Sequence, residues 1–220
     1  MEKCSLRLLC ISASNNFRPG IKETYSRRIC KAVLDEAEKN VANIESEIVE
    51  LKNLTLDPCR DCMGCLDSKR CAWDDNFNRL YERIITCDIL FIVSPHYAPI
   101  PAKLCVLLEK MEEITFYRWE KDNAYQSEVY GIKTAVIAHG GGSGNEVAEA
   151  GGISQKDYKK VVNDTIANAL NTIQLKLIPF SDEWNTGIVV PPMDMFADDE
   201  QPLDKKIGEY VRKVLNQELL

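Results

Sequence analysis

Apolar residues run along this 220-residue chain in two alternating rhythms. Leu6 to Ser12 (LRLLCIS) is almost continuously apolar, as a strand covered on both faces requires. Between Tyr25 and Lys39 the rhythm changes, with Ile29, Val33 and Ala37 recurring every four residues as the stripe of a helix. Ile44 to Leu51 returns to a strand-like run, and a cysteine-rich loop follows. Asp74 or Asp75 stands where an N-cap belongs, ahead of a helix carrying Phe77, Leu80, Tyr81 and Ile84. Ile89-Leu90-Phe91-Ile92-Val93 predicts a fully buried strand, and Leu104, Leu107, Leu108 and Met111 mark the helix after it. Lys133 to Ala138 predicts a fourth strand. Tyr158, Val162, Ile166, Ala169 and Ile173 predict a helix to about Gln174, Leu175 to Ile178 a short fifth strand, and Leu203, Ile207, Val211 and Val214 a closing helix.

Five strands alternating with five helices spell (βα)5, an α/β chain whose parallel sheet carries helices on both faces. The chain reads as one domain, 1–220, with the cysteine-rich loop at 57–73. Two polar and aromatic stretches, 115–130 and 182–202, read as surface excursions, the second because Pro191-Pro192 opposes regular structure.

Charge narrows the function classes. A net charge of −7 and a pI near 5 exclude the basic face of a general nucleic-acid binder. No apolar run approaches the ~18–20 residues that span a bilayer, and Met1-Glu2-Lys3-Cys4-Ser5-Leu6 shows no apolar leader core. The expectation is a cytoplasmic protein without a membrane partner. In a reducing compartment, nine cysteines point to metal or redox chemistry rather than to a disulfide framework.

Four of the nine are crowded into one motif, Cys59-x2-Cys62-x2-Cys65-x5-Cys71. Thiolates at this spacing can converge on one small object, and three at successive x2 intervals suit an iron–sulfur cubane. A Cys4 zinc site is the alternative, although zinc sites usually divide their ligands into two separated Cys-x2-Cys knuckles. Lys69 and Arg70 beside Cys71 either offset a cluster's negative charge or form a solvated basic turn. Cys4, Cys10, Cys30, Cys87 and Cys105 are expected to be small buried hydrophobes.

Open parallel sheets bind ligands beyond the carboxyl ends of their strands, where strand order reverses. Three loops at that edge carry chemistry. After strand one, Ser12-Ala13-Ser14-Asn15-Asn16-Phe17 leads to Thr24-Tyr25-Ser26 at a helix start, where hydroxyls and free N–H groups suit a phosphate or simply cap a long loop. After strand three, Ser94-Pro95-His96-Tyr97-Ala98-Pro99-Ile100-Pro101 is stiffened by prolines and offers Tyr97 as a flat surface for a planar ring; His96 is a packing residue or an acid/base. After strand four, His139-Gly140-Gly141-Gly142-Ser143-Gly144 offers N–H groups to the polar edge of a heterocycle, with His139 read as structural.

With these residues assembled, the chain resembles the flavodoxin-like NAD(P)H-dependent FMN reductase and iron–sulfur flavoprotein group. The resemblance runs from strand one to the glycine loop. It is carried most specifically by the cysteine loop, Asp74-Asp75, the strand ending Ser94-Pro95-x-Tyr97, and the helix that follows. It implies a three-layer fold around a five-stranded sheet of order 2-1-3-4-5. It implies FMN, its phosphate held by Ser12, Ser14, Thr24, Tyr25 and Ser26, its isoalloxazine lined by Pro95, His96 and Tyr97, and its pyrimidine edge met by Gly140, Gly141 and Gly142. Ala98 stands where the group carries a larger residue, which opens the ring's face to a partner. Cys59, Cys62, Cys65 and Cys71 match the group's 4Fe–4S motif. The implied function is electron transfer between a ferredoxin-like or NAD(P)H donor and a small acceptor, in a homodimer or homotetramer and without a catalytic triad. An NAD(P)H-dependent FMN or quinone reductase without a cluster is the alternative.

Overall fold

The computed structural model describes residues 5–17, 23–97, 99–140, 154–191 and 203–217. Its strands are β1 (Leu6–Ser12), β2 (Ile44–Glu50), β3 (Ile89–Pro95), β4 (Lys133–His139), β5 (Lys176–Leu177) and β6 (Ile188–Val190). The helices are α1 (Tyr25–Asn40), α2 (Cys65–Ser68), α3 (Asp75–Ile85), α4 (Ala102–Lys121), α5 (Gln155–Tyr158), α6 (Asp164–Ile173) and α7 (Lys206–Asn216). A 3-10 turn, Leu51–Asn53, follows β2, and a π turn, Lys159–Asn163, joins α5 to α6.

All strand pairings are parallel, and the order is β2-β1-β3-β4-β5 with β6 also on β4. Every residue of β3 is buried, as its unbroken apolar run predicts for a central strand. Side chains of successive strand residues point to opposite faces, and the core divides accordingly. Leu9, Ile11, Leu90 and Ile92 pack with Phe77, Leu80, Leu104, Met111 and Ile166 of α3, α4 and α6. Leu8, Cys10, Phe91 and Val93 pack with Ile29, Val33, Val211 and Val214 of α1 and α7. The chain leaves β1 in opposite directions to reach β2 and β3, so the switch point lies between β1 and β3.

Helix boundaries follow their caps. Thr24 Oγ1 accepts the Arg27 N–H at 3.2 Å to open α1, and Asp74, rather than Asp75, caps α3 by accepting the Phe77 N–H at 2.9 Å.

Four expectations are corrected. The fifth strand is shorter than 175–178, and its place beside β4 is shared. Lys133 and Thr134 pair with Lys176 and Leu177, whereas Ile137, Ala138 and His139 pair with Ile188, Val189 and Val190. The stretch 182–202 therefore contains a buried β-branched strand that stops at Pro191. Helix α4 continues to Lys121, into the stretch 115–130 expected to be a surface excursion, because Ile114 and Thr115 are still buried. Cys105 is exposed on α4 rather than buried, while Cys10, Cys30 and Cys87 are buried as expected; Cys4 lies outside the described residues.

Candidate functional site

The parallel register brings Ser12, Pro95, His139 and Val190 to one edge of the sheet, since Ser12 pairs with Val93, Pro95 with His139 and His139 with Val190. Ser12 and Ser14 are buried there, and Ser12 Oγ and Asn15 Oδ1 are buried without a hydrogen-bond partner among the described residues. A buried hydroxyl and amide left unsatisfied are costly unless a ligand satisfies them. Ser14 Oγ accepts the Asn16 N–H at 3.2 Å. Next to this loop is the N-terminus of α1, a 16-residue helix with no acid in its first turn. Its dipole and free N–H groups favour an anion. These groups fit a phosphate.

Thr24 and Ser26 are buried, and Tyr25 is half-buried. Ser26 Oγ and His139 Nε2 share a hydrogen bond of 2.7 Å, and the Tyr25 ring meets the His139 ring edge-on at 5.1 Å. Burial holds the His139 imidazole down to about 4, so it is neutral near pH 7 and ties the end of β4 to the start of α1. This is the structural role expected of it.

The ring-lining candidates Pro95, His96 and Tyr97 follow β3. Tyr97 is 46% exposed, and its N–H donates to Pro99 O at 3.0 Å, closing a tight turn. Ala98, Gly141 and Gly142 lie outside the described residues. Gly140 has φ +136, and a Cβ there would lie 2.3 Å from Cε1 of Tyr158, so only glycine fits. The Tyr158 ring also lies 5.1 Å from the His96 ring. Tyr158 thus joins two of the candidate loops. Its spacing in the sequence marks it only as one of a helix's apolar face; the π turn that begins at Lys159 adds a residue that the helical periodicity does not show.

The cysteine loop leaves the same edge after β2. Cys59, Cys62, Cys65 and Cys71 all line one cleft of about 480 Å³, counting its open mouth, together with Trp73, Phe77, Lys110, Ile114 and Tyr117. Among the described residues no three His, Cys, Asp or Glu side chains gather closely enough to hold a single metal ion. The cysteines ring the cleft without closing on one point.

The loop's backbone is unusual. Asp61, Met63 and Lys69 have φ of 47°, 55° and 56°, a left-handed conformation that costs non-glycine residues of order 1–3 kcal/mol each. Such strain persists only where neighbours impose it, and α4 supplies most of them. Cys59 N–H donates to Glu109 Oε2 at 3.3 Å, and Tyr117 Oη donates to Asp61 Oδ1 at 2.5 Å. The Arg118 guanidinium donates to Cys65 O at 3.0 Å and also to Leu66 O. From below, Asp74 Oδ2 accepts the Asp57 N–H at 3.0 Å and the Lys110 ammonium at 2.5 Å, with both charged side chains 3% exposed. Asn78 exchanges hydrogen bonds with Cys71 N–H and O at 2.7 and 2.8 Å.

The thiols differ. The Gly64 N–H, the Trp73 indole N–H (3.2 Å from Cys62 Sγ) and the nearby Arg60 hold the exposed Cys62 below the usual thiol range. Burial raises Cys65. Lys69 and Arg70 are engaged by neighbours rather than forming a freely solvated turn. Arg70 turns away to Glu82 and Glu128, at 2.5 and 2.8 Å, over the Tyr81 ring, and the Lys69 ammonium lies over the Tyr125 ring.

Strand order, with three candidate loops gathered at the edge that holds the switch point, defines a flavodoxin-like α/β fold. The chain belongs to the NADPH-dependent FMN reductase family, whose model matches residues 6–151. Members of that family are NADPH-dependent FMN reductases, which are flavin oxidoreductases. Over 84 residues it is 29% identical to an iron–sulfur flavoprotein of Methanosarcina thermophila. That match covers 38% of this chain and 43% of the relative, so the chain spans less than half the length of that protein. In architecture it is similar to an NAD(P)H:quinone oxidoreductase of Methanothermobacter marburgensis (TM-score 0.60, 16% identity, 98% of each chain). It is likewise similar to an NAD(P)H:acceptor oxidoreductase of Paracoccus denitrificans (TM-score 0.56, 14% identity, 97% of this chain and 96% of that one). At these identities the likeness is one of fold. Among the described residues no helix is long and apolar enough to cross a membrane.

Proposed function

We propose that this protein is an iron–sulfur flavoprotein, in which FMN and a 4Fe–4S cluster pass electrons between a ferredoxin-like or nicotinamide donor and a small acceptor. The observation that carries this reading is the single cleft lined by all four motif cysteines, braced by α4 in a strained backbone. A cubane spreads its four thiolates farther apart than a single ion does, which suits cysteines that ring a cleft without converging.

Ser12, Ser14, Thr24, Tyr25 and Ser26 would hold the FMN phosphate, with Ser12 Oγ gaining the partner it lacks. Pro95, His96, Tyr97 and Ala98 would flank the isoalloxazine, and Gly140, Gly141 and Gly142 would meet its polar edge with N–H groups. Cys59, Cys62, Cys65 and Cys71 would hold the cluster as thiolates. Bound flavin supplies two-electron and one-electron chemistry, and the protein supplies position and electrostatics. The helical brace matters here, because α4 begins directly after the ring-lining turn and contacts the cysteine loop along its length. Lys103 Nζ donates to Lys52 O and Leu54 O at 2.7 and 2.6 Å, which fixes the root of that loop to the start of α4. The two cofactor loops are therefore held by one rigid element. Assembly as a homodimer or homotetramer in the cytoplasm completes the reading.

The likeness in fold to NAD(P)H:quinone and NAD(P)H:acceptor oxidoreductases favours a second reading, an NAD(P)H-dependent FMN or quinone reductase whose cysteine loop is structural. An absorption spectrum of anaerobically purified protein, with iron and sulfide assays, decides between them. Flavin bands over a broad shoulder near ~400 nm with about four irons per chain are expected for the first. Flavin without iron, even after anaerobic reconstitution with iron and sulfide, overturns it in favour of the second.

A further inference from the structure

Trp73 hydrogen-bonds to a motif cysteine. Its indole Nε1–H donates to Cys62 Sγ at 3.2 Å, within range for a sulfur acceptor. The ring is nevertheless 60% exposed. Arg60 sits over the same ring, 5.3 Å from its centroid, so the indole is held between a cation on one side and the sulfur at its edge. A large apolar ring left this exposed gains little from burial. The contact that accounts for its placement is the hydrogen bond to sulfur.

We propose that Trp73 is a positioning residue for the cluster, its indole N–H setting the reduction potential through Cys62. This rests on the cluster reading given above. Hydrogen bonds to sulfur are among the terms that set iron–sulfur potentials. The physical reason is charge: reduction adds one electron, part of whose density appears on the ligating sulfurs. An N–H dipole aimed at one of those sulfurs therefore stabilises the reduced state more than the oxidised state. The donor raises the potential, and removing it lowers it. The Gly64 N–H is also aimed at Cys62 and is unchanged by substitution at Trp73, whereas the side-chain cations at the cleft are arranged differently. The Lys110 ammonium is bound to Asp74 and faces the Phe77 ring at 5.3 Å, and Arg118 gives its bonds to backbone carbonyls.

The test uses full-length holoprotein reconstituted anaerobically with iron, sulfide and FMN. Dithionite delivers one electron to the cluster during a potentiometric titration followed by electron paramagnetic resonance. Trp73→Phe keeps a flat ring under Arg60 and removes the N–H; Trp73→His keeps an N–H donor. In Trp73→Phe the cluster midpoint is expected to move to a more negative value, with the FMN couple unmoved. In Trp73→His the midpoint is expected between those of Trp73→Phe and the parent. The signal reads only loaded molecules, so a partial loss of iron in either variant does not obscure the midpoint. A parent protein that takes up no iron defeats the cluster reading itself. A loaded parent and a loaded Trp73→Phe variant with the same midpoint overturn the role of Trp73 alone. Equal shifts of the cluster and FMN couples also overturn it, since they would report a general change of structure.

Discussion

Asp74 accepts hydrogen bonds from three different parts of the chain: the Phe77 N–H of α3, the Asp57 N–H of the cysteine loop and the Lys110 ammonium of α4. Burial pushes its carboxyl up, but Lys110 and the two N–H donors outweigh it and hold Asp74 below the usual carboxylate range. A carboxyl lowered by folding contributes stability that is present above its unfolded value of about 3.9 and is lost as pH falls through its folded value. Asp74→Asn is expected to remove that acid-side loss in chemical melts. Because it leaves the Lys110 charge buried without a counter-ion, it is also expected to cost about 3–5 kcal/mol at pH 7. Asp74→Asn with Lys110→Met is expected to recover much of that cost. His139 acts in the same direction over a higher pH window. Its folded value of about 4 lies below its ordinary 6.5, so the unfolded chain takes up the proton first as pH falls. Stability is expected to decline from about pH 6.5 to about pH 4 by up to ~3 kcal/mol, and His139→Gln is expected to flatten that slope.

Helix α4 explains why the cysteine loop keeps its shape. Arg118→Met frees the carbonyls of Cys65 and Leu66, and a loss of about 1–3 kcal/mol of local stability is expected. Hydrogen exchange should quicken across residues 57–71 while β1 and β3 remain protected. Gly140→Ala is expected to expel FMN and lower the melting temperature, because its Cβ would overlap the Tyr158 ring and its φ is unfavourable for alanine. Such contacts are invisible in sequence periodicity, which reports which face of an element is buried but not what its polar face holds. Tyr117 and Arg118 fell in the stretch expected to be a surface excursion, 115–130. The loop cysteines, by contrast, were plain from spacing alone, and the first four strands from their apolar runs. β6 was hidden by its length of three residues and by the prolines after it. The sequence-read cap, Asp74, also proved to be the hub of a buried ion pair, since a cap motif says nothing of a partner 36 positions away.

The molecule as a whole puts both candidate cofactor regions on the carboxyl edge of one sheet, joined by α4. FMN bound there should stabilise the entire fold, not just its loops. At a free concentration 100 times its dissociation constant the gain is about 2.7 kcal/mol, which a thermal shift on adding FMN to stripped protein would measure. Phosphate alone, which lacks the ring contacts at Pro95 to Tyr97 and Gly140, should give a much smaller shift. The general location of this site was readable because parallel topology dictates it. The bonds that hold it were not, because Ser26 and His139 are 113 positions apart in the chain.

The divided place beside β4 bears on how the protein behaves when crowded. A long flat strand at a sheet margin is a template onto which another chain can graft. Here that margin is broken into segments of two and three residues, with the chain looping away between them. The opposite margin, β2, turns Glu45 and Glu47 outward, the latter paired with Arg83. Among the described residues neither flank offers a continuous apolar row of unpaired amides, so newly made or heat-stressed copies are expected to have little edge there on which to nucleate fibrous aggregates.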